Sequence, residues 1–355
     1  MTSRLALHDA HVAAGATVEP VCGWETPLTY GDAAAEYRAV RAAAGVIDLG
    51  ARGLLEVTGR DRGKFLHALL SNEVKGLAPG QGCAAALLDP HGKVQVLVAV
   101  WVLEDRILLV TPSGTAAPAL EALDRYLFAE KVELRDASGE TARLLLAGPE
   151  APALAEHLTG VRPPETVWAS VRATLAGAEA RLVTGAGETG EREVWVVVPA
   201  ATATRAWDAA RAAGAHPVGL VALESLRIES GAPRFGHDVD DSVLLPEIPF
   251  EHLVSHTKGC YPGQEVVVRI RDRGHVNRLL RGLVLEGDGV PAPGAAVEVD
   301  GATVGRVTSA TRSIGLDRPI ALAFVRRAHG PGARVTVRLG DTAVAATVTA
   351  LPFLR

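Results

Sequence analysis

One cysteine stands among residues that do not build cores. Residues 258 to 265 read Lys-Gly-Cys-Tyr-Pro-Gly-Gln-Glu. Gly259 and Gly263 let the backbone turn tightly and approach a partner closely. Pro262 suits a first helical position, where its missing N–H costs nothing. The run Gln-Glu-Val-Val-Val-Arg-Ile-Arg-Asp-Arg-Gly then reads as a short helix stopping near Gly274. Cys260 would lie near a positive helix end and beside Lys258, and both features favour a thiolate, the form of cysteine that reacts. The valines at 266 to 268 leave a strand reading open, which would remove the helix-end contribution. A free cysteine is most often a small buried hydrophobe, and Cys22 and Cys83 fit that description. For Cys260, the flanking Lys, Gly, Gln and Glu favour an accessible loop.

Three other patterns carry less chemistry. His252, His256 and Cys260 recur at helical spacing, but a helix through Gly259 is disfavoured and no fourth ligand is indicated. They read as loop residues, and no metal site is expected. Gly185-Ala186-Gly187-Glu188-Thr189-Gly190 matches a dinucleotide fingerprint, yet a strand follows where the pyrophosphate would need a helix N-terminus. It reads as a hairpin turn. Glu224 to Gly231 reads as the end of an amphipathic helix, closed by a glycine. The polar stretch Pro-Arg-Phe-Gly-His-Asp-Val-Asp-Asp after Ala232 has groups enough to line a pocket, without a nucleophile–base pair that spacing alone identifies.

The elements that must position these residues are mixed. A helix capped by Asp32 is expected over 32 to 44, a strand over 54 to 57 and a helix from Asp61 towards Leu70. Ala84 to Val110 reads as β-structure with a turn at Asp89-Pro90-His91-Gly92, and Glu104-Asp105-Arg106 breaks its apolar run into two strands. A helix over 115 to 128 and strands over 131 to 148 follow. Further strands are expected at 180 to 184 and 194 to 198, and helices at 200 to 213 and 219 to 230. From about residue 280, short β-runs alternate with Gly and Pro turns, and Asp300-Gly301 is a type I′ hairpin signal, which together suggest a small barrel or sandwich. The chain of 355 residues is long enough for two or three domains. With 36 basic against 41 acidic side chains, a formal charge of −5, it offers no global signal for nucleic acid or anionic membrane. Three cysteines without paired spacing argue for a reducing compartment. His8 and Asp9 interrupt the place where a signal peptide needs its apolar run, so a cytoplasmic protein is expected.

The octet resembles the signature Lys-Gly-Cys-Tyr-x-Gly-Gln-Glu of the YgfZ-type folate-binding proteins, with Pro262 at the free position. Arg269, Arg273-Gly274 and Asn277-Arg278-Leu279 look like that family's continuation. Leu226-Arg227-Ile228-Glu229-Ser230-Gly231 with Phe235-Gly236-His237-Asp238 is similar to a segment shared with the T protein of the glycine cleavage system. Gly45 to Leu49, Phe65-Leu66, Gly305 to Ala310 and Ile320 to Ala323 resemble the same superfamily. The resemblance implies an α+β fold, a three-domain T-protein-like ring with two mixed α/β domains and a C-terminal small β-barrel. It implies a discontinuous first domain (1–50 plus 140–250), a second domain (51–139), a signature loop and helix (251–279) and the barrel (280–355).

The resemblance also implies tetrahydrofolate, or a derivative, bound in a central hole. In Thr189-Gly190-Glu191 the glutamate matches one that holds the pterin ring, and a carboxylate can accept its parallel N–H donors. Arg227, Tyr261, Gln264 and Glu265 join Glu191 as expected cofactor-binding positions, Gln264 and Glu265 by ordering the loop. Cys260 is the expected working thiolate, and Lys258 lowers its pKa or meets an anionic folate tail. Glu188 stands where the T protein often has tyrosine, and Leu223 where it often has arginine. The T protein carries an aspartate in a run resembling Gly-Gly-Val-x-Asp-Asp-Leu. Here Gly92-Lys93-Val94-Gln95-Val96-Leu97-Val98 has apolar residues instead, so one-carbon transfer would lack its polar group. The expected function is support of iron–sulfur cluster assembly or repair, and so of tRNA-modifying iron–sulfur enzymes. Folate-dependent aminomethyl transfer is the alternative. Iron–sulfur proteins or assembly factors are the expected partners of a monomer.

Overall fold

Residues 2–354 are described by a computed structural model. A six-stranded sheet runs in the order Ser170–Leu175, Ala178–Thr184, Glu193–Pro199, Thr141–Ala147, Gly45–Asp48 and His216–Pro217. Val194, Val196 and Val198 point to one face, where helices Ala151–Thr159 and Ala203–Ala212 cover them with Leu154, Ala206 and Trp207. Trp195 and Val197 point to the other. A strand apolar on both sides, as this one is, needs both faces covered.

The second sheet has five strands, ordered Gly82–Leu88, Val94–Val102, Ile107–Ser113, Arg52–Thr58 and Glu133–Asp136. Val96, Val98 and Val100 pack on helices Arg62–Leu69 and Ala116–Asp124 through Phe65, Leu66 and Leu123. Trp101 faces the opposite way and meets Trp195 of the first sheet edge to face, with ring centroids 5.7 Å apart. The two sheets therefore approach each other across a shared apolar layer. Helices Ala33–Ala42 and Leu220–Ser230 enter that layer through Val40, Ala222 and Leu226.

Six strands between Arg278 and Thr349 close into a barrel. Its Asp300-Gly301 turn has φ of +50° and +77°, the geometry of a type I′ hairpin. The fold is the expected mixture of α/β layers and a C-terminal β-barrel. Local readings differ in instructive places. The helix expected over 115–128 ends at Asp124, and beyond it Phe128 is 88 % exposed, with nothing to cover an apolar face. Strand Ser170–Leu175 lies at a sheet edge, alternately buried and exposed, and escapes a reading that looks for apolar runs. No helix among the described residues is long and apolar enough to cross a membrane.

Candidate ligand cavity

A cavity of about 440 Å³ opens between the two sheets. Leu97 and Ala99, on the inward face of strand Val94–Val102, form one wall. Glu193 and Trp195, on the inward face of strand Glu193–Pro199, form the wall opposite. Helix Leu220–Ser230 contributes Leu223, and the polar stretch after it contributes Arg234 and His237. Val96, the neighbour of Leu97, points away into the core.

The charged end of the cavity is internally paired. Arg52 pairs with Glu188, and its guanidinium carbon lies 5.2 Å from the Trp195 ring centre. Burial alone would raise the Glu188 carboxyl, but the charges of Arg52 and Arg234 and the Arg52 hydrogen bond hold it below the usual range. Arg234 in turn pairs with Glu224. Glu193 behaves oppositely. Burial, then the charge of Glu188, push its carboxyl up, although Thr189 donates to it through both N–H (2.7 Å) and Oγ1 (2.9 Å) and Gly187 through N–H (3.0 Å). Burial, followed by the Arg234 charge, lowers His237.

The residues singled out from the sequence lie elsewhere. Glu191, expected against a pterin, is not in the cavity wall and accepts a hydrogen bond from Arg41 at 2.9 Å. Arg227, also expected at the ligand, is locked in the interior by Asp238 (2.8 Å), Ser309 (2.7 Å) and Glu224 (2.7 Å). Residues 258 to 265 contribute nothing to the cavity wall. Cys260 is exposed, and Tyr261 is buried in a core shared with Leu253 and Val267. Lys258 is buried beneath that loop, and its ammonium donates to the carbonyls of His67 and Leu70. It thus satisfies the C-terminal end of helix Arg62–Leu69. Burial pushes its pKa down to about 8.

The expected helix after the octet is present as Gln264–Arg273. Gly263, not Pro262, makes the entry: it is the N-cap at φ +76°, which places Pro262 outside the helix. Cys260 therefore precedes the N-cap by three residues. Gln264 is half-buried and Glu265 exposed at the start of that helix. His252 sits in the short helical turn Glu251–Leu253 and His256 in a bend, so they do not share a helix face with Cys260. Among the described residues no three His, Cys, Asp or Glu side chains cluster as metal ligands.

What the sequence reading missed is the pair Arg52 and Trp195. Trp195 was visible in principle as a large, polar-tipped side chain at an inward position of an otherwise valine-rich strand.

Two mixed sheets facing each other across a polar-ended cavity, followed by a closed barrel, define a class of α+β protein with a C-terminal β-barrel. Residues 7–258 match the GCVT N-terminal domain, and residues 278–354 match the glycine cleavage T-protein C-terminal barrel domain. This chain belongs to the glycine cleavage T-protein family. The aminomethyltransferase of Alcanivorax borkumensis is 30 % identical to it over 356 residues, covering 100 % of this chain and 98 % of that one. The aminomethyltransferase of Rubrobacter xylanophilus is 33 % identical over 355 residues, covering 99 % and 94 %. The crystal structure of glycine cleavage system aminomethyltransferase T from Bartonella henselae superposes with a TM-score of 0.91 at 24 % identity, covering 100 % and 98 %. That likeness establishes the shared fold.

Proposed function

We propose that this protein binds a reduced folate in the cavity without transferring an aminomethyl group, and that the exposed Cys260 thiol supports iron–sulfur cluster assembly or repair. Family membership and a cavity of suitable volume support the folate. The observation that carries the rest is the wall formed by Leu97 and Ala99. No carboxylate projects from strand Val94–Val102 into the cavity. A group that must hold or move a proton beside the reacting nitrogen is therefore missing from that wall. Cys260 lies outside the cavity on an exposed loop held by Lys258 and Tyr261. In this reading the folate fills the cavity, and the cluster or its carrier protein is the partner that meets the exposed thiol.

Replacing Cys260 by Ala is expected to abolish rescue of iron–sulfur enzyme activity in cells lacking the protein, while leaving folate affinity unchanged. Full rescue by that variant would sink the role given to the thiol.

The second reading is folate-dependent aminomethyl transfer, favoured by full-length relatives that bear that name. Under it, one of the other carboxylates of the cavity, Asp48, Glu188 or Glu193, would have to replace the missing acid. Incubation of the purified protein with tetrahydrofolate and an aminomethyl donor separates the two. No consumption of tetrahydrofolate is expected, and clear turnover reverses the ranking.

A further inference from the structure

Two residues of the cavity wall begin a segment that ends at the thiol. His252 and Leu253 line the cavity, and the chain runs from them through Ser255 to Lys258 and Cys260. Residues 70 to 72, which follow helix Arg62–Leu69, hold that segment along its length. The Asn72 amide donates to the carbonyl of His252 at 3.1 Å and to that of Ala84, another wall residue, at 2.9 Å. The Ser71 hydroxyl donates to Leu253 O at 2.6 Å and accepts from the Ala86 N–H at 2.8 Å. Ser71 O accepts from the Ser255 N–H at 3.1 Å. Leu70 O, with His67 O, accepts from the Lys258 ammonium.

Ser71, Leu253 and Lys258 are all buried. A buried polar group that loses its partner pays the full cost of desolvation, so these contacts resist being broken one at a time. The segment and residues 70 to 72 therefore move as a unit. Apolar packing continues the tie, because Leu253, Ala84 and Ala86 share a core with Tyr261. The Lys258 ammonium also stands 5.0 Å from the Tyr261 ring centre. Between those two anchors Gly259 and Cys260 are exposed. The thiol is carried on one end of a strap whose other end is cavity wall.

We infer that residues 252–258 couple the cavity to Cys260, with Asn72 as the positioning residue: a ligand packed against His252, Leu253 and Ala84 steadies the strap and so restrains the thiol loop. Resting on the folate reading above, a reduced folate in the cavity regulates the thiol without touching it. Asn72 is the narrowest point of the connection. Its one amide nitrogen joins the start of the strap to strand Gly82–Leu88, while its Oδ1 accepts from the Glu73 N–H at 2.9 Å.

The test is the rate at which iodoacetamide labels Cys260, read on its own peptide by mass spectrometry, with and without saturating 5-formyltetrahydrofolate. Calorimetry on the same samples establishes whether that reduced folate is bound. In the wild-type protein it is expected to slow labelling about five-fold, the lower end of ordinary coupling between two sites. Asn72→Asp keeps the shape and the Glu73 contact, but at neutral pH it cannot donate to the two carbonyls. It is expected to bind the folate and to label at one rate with or without it. A merely structural role for Asn72 would change both rates alike and leave their ratio at the wild-type value, which overturns the inference. If Asn72→Asp does not fold, hydrogen exchange of wild-type residues 253–261 takes its place. Slower exchange with folate bound supports the strap, and unchanged exchange overturns it. Binding without any change in wild-type labelling overturns the coupling and leaves the folate reading standing. Absence of binding overturns the folate reading, and the coupling with it.

Discussion

Glu188 and Glu193 stand five positions apart on one hairpin and are driven in opposite directions. Glu188 faces two guanidinium groups and stays ionised, whereas Glu193 faces loop N–H groups and the Glu188 charge. For Glu188 the folded value is lower than the unfolded one. Its stabilisation is therefore complete above the unfolded carboxyl range and is lost as pH falls through the lower folded value. Glu188→Gln is expected to cost about 1 kcal/mol at neutral pH, in line with a half-buried ion pair. Urea denaturation at a series of pH values should show that difference shrinking below about pH 4. A gap that stays constant to pH 3 would show that the pair is not its source. At the same scale, Cys260 was legible as an accessible thiol from its flanking residues, whereas the role of Lys258 was not. The sequence places Lys258 two positions from the thiol, but a buried ammonium takes whatever acceptors the fold brings to it. Here those are carbonyls of a distant helix.

At the scale of elements, the signature loop is held by a glycine contact that composition does not reveal. Gly263 packs on the Asp89–Gly92 turn so closely that a Cβ would stand 2.5 Å from Asp89 O and 2.9 Å from Gly92 Cα. Its φ of +76° adds a backbone penalty for any other residue. Gly263→Ala is expected to cost about 2 kcal/mol, the sum of strain and displacement. It should also speed alkylation of Cys260 by loosening the loop, read as the rate of thiol labelling under native conditions. A labelling rate equal to wild type would mean that the loop does not depend on this contact. The helix itself was readable from the Gly274 that ends it, although it starts at Gln264 and not at Pro262. The turn at Asp89–Gly92 was readable as well, and only their contact was hidden.

Across the whole molecule, helix Leu220–Ser230 ties the first sheet to the barrel. Glu229 is fully buried and accepts hydrogen bonds from Tyr37 (2.5 Å) and Arg41 (2.7 Å) on one side. On the other side it accepts from Ser313 (2.5 Å) and the Gly315 N–H (3.2 Å) of the barrel region. Arg227, two residues earlier on the helix, reaches Ser309 on the same barrel strand and Asp238 after the helix. Glu229→Ala leaves the Arg41 charge without its buried partner and is expected to cost about 3–5 kcal/mol. Limited trypsin digestion should then cut faster in the exposed segment near Arg273, ahead of the barrel. Unchanged digestion and an unchanged urea midpoint would contradict this tie. The segment containing Arg227 and Glu229 was readable from the sequence as one that matters, but reading it as ligand contact was a misplacement. A buried charge needs a buried partner, and only the folded chain reveals whether that partner is a ligand or another domain.

Alternation, turns and caps by themselves determined the mixed α and β elements, a β-rich C-terminal unit and the accessible thiol, because those signals are local and act through neighbours in the chain. The octet and its companion segments pointed to the superfamily. Tertiary structure alone decided which polar groups face the cavity. Leu97 reaches it and Val96 does not, because adjacent residues of a strand point to opposite faces. Glu193 and Trp195 reach it while Glu191 is spent on Arg41, because the sheet, and not the motif, sets the direction of each side chain. The cavity's recognition chemistry is therefore a property of two strands facing each other, and neither strand records it alone.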